Sequence, residues 1–187
     1  MTVPGARSHD ASLALLVLQC QSGSDRAFAR LVDMFSERTL AYLRGLVGDD
    51  ADDVHQELWL GVYRHIASLA NPGAFRTWLF QTTRHCALDQ LRKRKREGEV
   101  FADVEFETVD AAEDAGDPAE FDTADVDAVL MQIPPPQREV ILLHYRDDLS
   151  YADIAVVVGC PIGTVRTRLH HAKRKLRELL NAQRGEV

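Results

Sequence analysis

The distribution of charge constrains the fold of this chain more than any other feature. From Glu97 to Asp127 the sequence contains many carboxylates but no Lys or Arg, and Gly116 and Pro118 interrupt it. Such a segment is too polar to bury the apolar surface that would offset the entropy lost on folding. We therefore predict a flexible acidic linker over 97–124, between one domain at 10–96 and another at 125–183.

Both predicted domains carry basic segments. The net charge of −7 is a misleading average, because positive charge is concentrated where each domain could meet a phosphate backbone. The basic residues are Arg76, Arg84, Arg92, Lys93, Arg94, Lys95 and Arg96 before the linker, and Arg166, Arg168, Lys173, Arg174, Lys175, Arg177 and Arg184 after it. A coil of the linker's length spans roughly 30 Å, close to one turn of DNA at about 34 Å, and a fully extended chain spans on the order of 100 Å. The two domains could therefore bind DNA sites more than one turn apart. A plain spacer without a binding role fits the same residues.

The second half contains the pattern of a helix-turn-helix. Ser150 and Asp153 have the spacing of a helix cap, Gly159 suits a left-handed helix end, and Pro161 suits the start of the next helix. A helix, a short turn with Gly and a second helix form this motif. Upstream, Leu130 belongs to a short helix that we expect the three prolines at 134–136 to end, with the next helix beginning near Gln137.

The second helix of this motif has two distinct faces. Its apolar residues recur at spacings of three and four, which predicts a buried seam; they are Ile162, Val165, Leu169, Ala172, Leu176 and Leu179. The opposite face carries short polar and basic side chains of the kinds that contact base edges and phosphates; they include Arg166, Thr167, His170 and His171. The alternative is an amphipathic helix whose charges are merely solvated.

The first half predicts three long helices and no strand, so we expect an all-α protein of two small helical domains. Ser24 can begin the first helix and Gly48 can end it. The second helix begins at Asp49 or Asp50, and Asn71-Pro72-Gly73 separates it from a third helix over 74–96. The apolar stretch 13–18 is too short to span a membrane and lacks the flanks of a signal peptide, so we expect a cytoplasmic protein.

The surface of the second helix is unusual. Trp59, Leu60 and Tyr63 do not all fit one buried seam, and carboxylates border them, a combination that favours a protein-binding face. Asp53 and Glu57 could instead bind a metal or act as an acid–base pair. Because no third ligand has suitable spacing, we expect no metal, no cofactor and no enzymatic activity. Trp78 fits the core better than a base-stacking role.

The three cysteines are Cys20, Cys86 and Cys160. They are far apart, with no CxxC and no zinc-binding spacing. We expect three reduced, partly buried thiols. The alternative is a redox switch, but nothing in the sequence beyond the presence of three cysteines favours it.

Two long segments resemble the extracytoplasmic-function sigma factors. The later one, IPPPQREVILLHYRDDLSYADIAVVVGCPIGTVRTRLHHAKRKLRELL, is similar to the fourth conserved region of that family. The resemblance implies that this domain reads the minus-thirty-five promoter element through Arg166, Thr167, His170 and His171. His171 replaces a residue that is usually Arg in the family. Response-regulator output domains use a similar helix-turn-helix, so the first half must decide between them.

The earlier segments are DADDVHQELWLGVYRHI and FRTWLFQTTRHCALDQLRKRKR, and they resemble the second conserved region of the same family. The resemblance implies two sets of contacts. The core-polymerase-binding residues would be Asp53, Gln56, Glu57, Leu60 and Tyr63, and the minus-ten DNA contacts would be Arg76, Arg84, His85, Arg92 and Lys93. The loop His65–Gly73 would hold an unpaired base.

The resemblance implies a sigma factor that binds core RNA polymerase and promoter DNA, with an anti-sigma factor as a further expected partner. In the family the linker lies in the channel that RNA later occupies. Two other functions are compatible with parts of the pattern. One is an autonomous helix-turn-helix regulator that binds DNA without polymerase, and the other is a helical enzyme that uses Asp53 and Glu57.

Overall fold

The structure is a computed structural model that describes residues 4–98 and 129–184. Contacts divide the chain into two compact units, Met1–Leu91 and Arg92–Val187. All regular secondary structure in the described residues is helical, which confirms the all-α class with two helical parts. None of the helices in these residues has the length and apolar character needed to cross a membrane. Apart from Glu97 and Gly98, the predicted linker lies outside the described residues.

The described residues before the linker form four helices, the last of which runs a few residues past the boundary at Leu91. They are α1 (Pro4–Gln21), α2 (Asp25–Val47), α3 (Ala51–His65) and α4 (Phe75–Arg96). Ser24 caps α2 by accepting a hydrogen bond from the Ala27 amide, and Gly48 ends that helix with a positive φ, as the sequence predicted. Between α3 and α4 the chain makes two short 3-10 turns, Ile66–Ser68 and Pro72–Ala74.

Helix α1 was not predicted as a helix from the sequence. Leu13, Leu16 and Val17 are buried in the core of the first unit, whereas Leu15 and Leu18 on the same helix are exposed. This mixture obscures the helical period, which explains why periodicity alone missed it. The rest of that core comes from α2, α3 and α4, with the fully buried residues Leu31, Phe35, Leu43, Leu58, Phe75 and Leu79.

The second unit contains α5 (Pro135–Ile141), which continues as a π-helical segment Leu142–Arg146, then α6 (Tyr151–Val158) and α7 (Ile162–Arg184). We expected α5 to begin near Gln137, and it begins two residues earlier, at Pro135. Proline fits the first turn of a helix because the amides there have no acceptor within the helix. Ser150 caps α6, and Gly159 follows it with φ 72° and ψ 39°, so the predicted helix-turn-helix is present.

A buried arginine organises the start of this unit. Arg138 is 8% exposed, and its guanidinium donates to the carbonyls of Leu130 (2.8 Å), Met131 (2.9 Å) and Ile133 (3.0 Å). Burial lowers the pKa of Arg138. The Leu130 carbonyl also accepts the Ile133 amide at 3.0 Å. Arg138 therefore joins the start of α5 to the backbone of the residues before the prolines.

Candidate functional surfaces

One side of α3 is exposed along its whole length. The residues that share it are three, four or seven positions apart and therefore lie on one helical face; they are Asp53, Gln56, Glu57, Leu60 and Tyr63. All five are exposed, and the apolar members Leu60 and Tyr63 are 52% and 56% exposed. We call these five residues the α3 face. They are the residues that the resemblance implied for binding core polymerase.

Trp59 is not part of the α3 face, although the sequence grouped it with Leu60 and Tyr63. Its side chain is 9% exposed and lies in the core. Its indole Nε1 donates to Nε2 of His55 at 2.9 Å, and the same His55 nitrogen lies 3.1 Å from Oγ1 of Thr39 on α2. These contacts join α2 and α3 behind the exposed face.

Tyr63 is held in place at the edge of the α3 face. Its hydroxyl donates to Oδ1 of Asp25 at 3.3 Å, and its ring packs edge-on against Phe28 with centroids 5.0 Å apart. Both partners belong to the first turn of α2. The aromatic ring is therefore presented to solvent in a defined orientation.

Helix α4 has basic residues on several sides. Arg76 and Arg84 are half-buried, whereas His85, Arg92 and Lys93 are exposed. His85 and Arg92 are seven residues apart and share a face. Trp78 is partly buried and packs against Phe75, with centroids 6.0 Å apart, as expected for a core-side aromatic.

The loop between α3 and α4 is internally ordered. Oδ1 of Asn71 accepts a hydrogen bond from the Gly73 amide at 3.0 Å, and the Ala74 amide donates to the Asn71 carbonyl. Oγ of Ser68 donates to the His65 carbonyl at 2.7 Å. The resemblance implied that this loop, His65–Gly73, holds an unpaired base.

The candidate DNA-reading residues of α7 differ in exposure. Arg166 is exposed, and His170 and His171 are half-buried with their rings 5.8 Å apart. Thr167 is only 1% exposed, and its hydroxyl donates to the Gly163 carbonyl at 3.1 Å. Thr167 is therefore too buried in this structure to contact DNA directly.

The cysteines are free thiols. Burial raises the pKa of Cys20 and that of Cys86, and Asp89 and Glu57 add to the effect at Cys86. A raised pKa disfavours the reactive thiolate. Within residues 4–98 and 129–184, no group of three His, Cys, Asp or Glu side chains is arranged to hold a metal ion.

Sequence reasoning missed three residues that shape these surfaces, namely Gln21, His55 and Arg138. Gln21 and Arg138 donate hydrogen bonds to backbone carbonyls, and His55 accepts one from the buried indole of Trp59. None of the three contacts follows from a sequence motif. The carbonyls that Gln21 contacts lie 45 and 48 residues away along the chain. No local pattern can reveal a partner at that distance.

Comparison with known families gives two matches in the order that the sequence suggested. The model described as "Sigma-70 region 2" matches residues 31–97. The model described as "Sigma-70, region 4" matches residues 123–176. The first covers α3, α4 and most of α2, and the second covers the helix-turn-helix.

Several curated proteins are similar along nearly their whole length. The RNA polymerase sigma-H factor of Pseudomonas aeruginosa is 33% identical over 88% of this chain and 92% of its own length. The ECF RNA polymerase sigma-E factor of Haemophilus influenzae is 30% identical over 86% of this chain and 91% of its own.

Two solved structures are also similar. The sigma factor RpoE of Bartonella quintana, solved with the anti-sigma factor NepR, has a TM-score of 0.65 and 28% identity, covering 82% of this chain and 96% of that one. CnrH, solved with the cytosolic domain of CnrY, has a TM-score of 0.64 and 25% identity, covering 91% of this chain and 97% of that one.

Proposed function

Because this chain belongs to the extracytoplasmic-function RNA polymerase sigma factors, we propose how its surfaces share the work of such a protein. An alternative sigma factor binds core RNA polymerase and directs it to start transcription at particular promoters. The observation that carries our assignment of roles is that each of three helices, α3, α4 and α7, exposes part of its candidate set. Each surface receives one role.

The α3 face binds core polymerase. Leu60 and Tyr63 provide apolar area that is exposed in the free chain, and Asp53 and Glu57 border it with negative charge. An apolar centre with a charged rim is the composition of a protein interface. The carboxylates would select a basic partner surface and set its orientation.

Helix α4 and the loop His65–Gly73 act on the minus-ten element. Arg92 and Lys93 attract the phosphate backbone. His85 contacts a base edge through one of its two ring nitrogens, because the two lie on separate edges of the ring. The loop accepts a base of the non-template strand after it has left the stack. Capture of an unpaired base favours the melted promoter over the closed duplex.

Helix α7 reads the minus-thirty-five element as duplex. Arg166 is the exposed member of its candidate set and has the geometry for a bidentate contact with guanine. His170, His171 and Thr167 lie further along or around the same helix. The acidic linker, 97–124, joins the two readers, so their weak contacts combine through effective concentration.

The protein carries out no chemistry itself, because the polymerase supplies it, and it acts in the cytoplasm, where its polymerase and promoters are. CnrH and RpoE were solved with the partners named above, and we propose an anti-sigma factor for this chain too. Recovery of a stoichiometric partner from cells would support it, and repeated absence across growth conditions would count against it.

Transcription in vitro tests the function. Core RNA polymerase is supplied with a library of genomic fragments, with and without this protein. We expect discrete start sites that appear only with the protein and share two upstream elements. DNA binding by the protein alone, without any new start site, would instead support an autonomous helix-turn-helix regulator.

A matched pair of variants tests the α3 face. Leu60→Asp places a charge in the proposed interface and should weaken core binding about 10-fold or more, since burial of a leucine contributes about 1.5–3 kcal/mol. Leu15→Asp makes the same change at a similarly exposed leucine of α1 (59% against 52%) and should leave core binding unchanged. Equal losses in both variants would remove the assignment.

A further inference from the structure

Helix α1 supports the loop between α3 and α4. It packs against both short turns of that loop, Ile66–Ser68 and Pro72–Ala74. The two turns are where the loop leaves α3 and where it enters α4. The helix therefore contacts the loop at both ends.

Gln21, the last residue of α1, makes the polar part of this support. Its amide Nε2 donates to the carbonyl of Ile66 at 3.0 Å and to the carbonyl of Leu69 at 2.8 Å. The Ile66 carbonyl also accepts the Leu69 amide at 3.2 Å, so one side chain closes the turn from both of its ends. Beyond this point the chain becomes extended, with Leu69 at φ −70° and ψ 105°.

The donor character of Gln21 is what the site requires. Both partners are carbonyl oxygens, which only accept hydrogen bonds, and an amide NH₂ can donate to two of them at once. A glutamate at this position would have the same size but would offer only acceptors to two acceptors. A methionine would keep most of the volume and would offer no donor.

We propose that Gln21 is a positioning residue for promoter melting: its two hydrogen bonds hold the loop His65–Gly73 in the shape that accepts an unpaired base. This inference rests on the proposed role of the loop. A loop already held in its binding conformation loses less conformational entropy when the base enters. Without Gln21 the loop must be ordered by the base itself, and affinity for that base falls.

The experiment uses the full chain with core polymerase and fork-junction DNA from a promoter found by the transcription assay. Each unpaired base of the downstream element is replaced in turn by an abasic site. For the wild-type protein, one abasic substitution should weaken binding clearly, and its position identifies the captured base. Gln21→Glu and Gln21→Met should each weaken binding to the intact fork by roughly 5- to 30-fold, as expected for two lost hydrogen bonds.

Binding of the two Gln21 variants to the abasic fork should match that of the wild type, because no base remains to be captured. Gln19→Glu is the matched control: it adds the same charge on the same helix at an exposed residue, and it should behave as wild type. Core-polymerase affinity should be unchanged in all three variants. If Gln21→Glu is unstable, Gln21→Met alone carries the test.

The outcomes separate the two claims. If the wild type does not distinguish any abasic fork from the intact one, the loop does not capture a base and the proposed function of the loop fails. If the wild type distinguishes them and both Gln21 variants do so equally well, the loop role stands and the positioning role of Gln21 is overturned.

Discussion

At the scale of single residues, the surroundings of His55 disfavour protonation of its ring. The indole N–H of Trp59 can only donate, so Nε2 of His55 must present its lone pair and the ring must be neutral. Desolvation lowers the pKa of His55, with a further lowering from Arg44, while a hydrogen bond with Ser36 and the charge of Asp52 raise it. A protonated ring would turn an N–H toward the indole N–H.

This arrangement predicts a loss of stability in acid. Because the pKa is lower in the folded unit than in the unfolded chain, the stabilisation is complete above the ordinary value of about 6.5 and is lost as the pH falls below it. We expect the urea midpoint to fall between pH 7.5 and pH 5.5, and to fall less in His55→Gln, which can still accept from Trp59 but does not titrate. His85→Gln, at an exposed histidine, should retain the wild-type dependence. The prediction fails if His55→Gln and wild type have the same pH profile.

Gly159 offers a second test at this scale. It adopts φ 72°, which costs an L-residue about 1–2 kcal/mol. Gly159→Ala should therefore lower the free energy of unfolding by about 1 kcal/mol and reduce binding to the upstream element, both measurable by urea denaturation and DNA titration.

Gly163 is the matched control for that substitution. An added Cβ at Gly163 meets no atom within 4 Å, and the residue lies in the first turn of α7. Gly163→Ala should leave stability unchanged or raise it, because alanine favours helix. Similar losses in both variants would show that the left-handed backbone of Gly159 is not the cause.

At the scale of elements, each helix separates a packing face from a working face. On α3 the buried residues Val54, Leu58 and Val62 hold the helix against the core, which leaves the α3 face to solvent. On α7 the seam of Val165, Leu169 and Leu176 has the same role. Because the packing face sets the rotation of a helix, it also determines which side chains can reach a partner.

Helix α7 therefore predicts a position-dependent effect of removing arginine. Arg166→Ala should weaken binding to the cognate upstream element by roughly 5- to 150-fold, the equivalent of about 1–3 kcal/mol for a bidentate base contact. The loss should be smaller on unrelated DNA, as measured by fluorescence anisotropy at fixed salt concentration.

Arg177→Ala is the control for this prediction. Arg177 is also exposed and lies on nearly the same side of α7, about three turns further along. Its removal should weaken binding to all DNA sequences alike or not at all. Equal sequence-dependent losses at both positions would contradict the assignment of Arg166 as the base reader.

At the scale of the whole molecule, the chain joins two compact units, and the two proposed promoter-reading surfaces lie on different helices, one on α4 with the loop before it and the other on α7. The carboxylates of 97–124 would oppose unassisted DNA binding. Covalent connection raises the effective concentration of the second reader once the first is bound. Specific initiation should therefore depend on continuity of the chain as well as on the two surfaces.

A cleavable linker tests this dependence. With a protease site inserted within 97–124, the uncut protein should direct transcription as the wild type does. After cleavage, promoter-specific transcription should fall about 100-fold or more, since avidity of this kind typically contributes 10²–10⁴. Circular dichroism should show that the helices are retained, so the loss is not one of folding. Undiminished transcription from the cut protein would mean that the units act independently.

Local pattern alone determined most of the elements. Ser24, Gly48, Ser150 and Gly159 mark helix ends through their own side chains or backbone freedom, and the apolar seams have helical spacing, so neighbouring residues carry the information. Local pattern indicated a protein-binding surface on α3, and the resemblance to the sigma-factor family implied the five residues of the α3 face. Only the tertiary structure decided that α1 is a packed helix, that Trp59 is buried, and that Arg138 and Gln21 bind backbone carbonyls. The first two depend on packing between helices, and Gln21 binds carbonyls 45 and 48 residues away in the chain. The carbonyls that Arg138 binds are only five to eight residues away, but every residue has a backbone carbonyl, so no side-chain pattern marks the ones that accept a hydrogen bond.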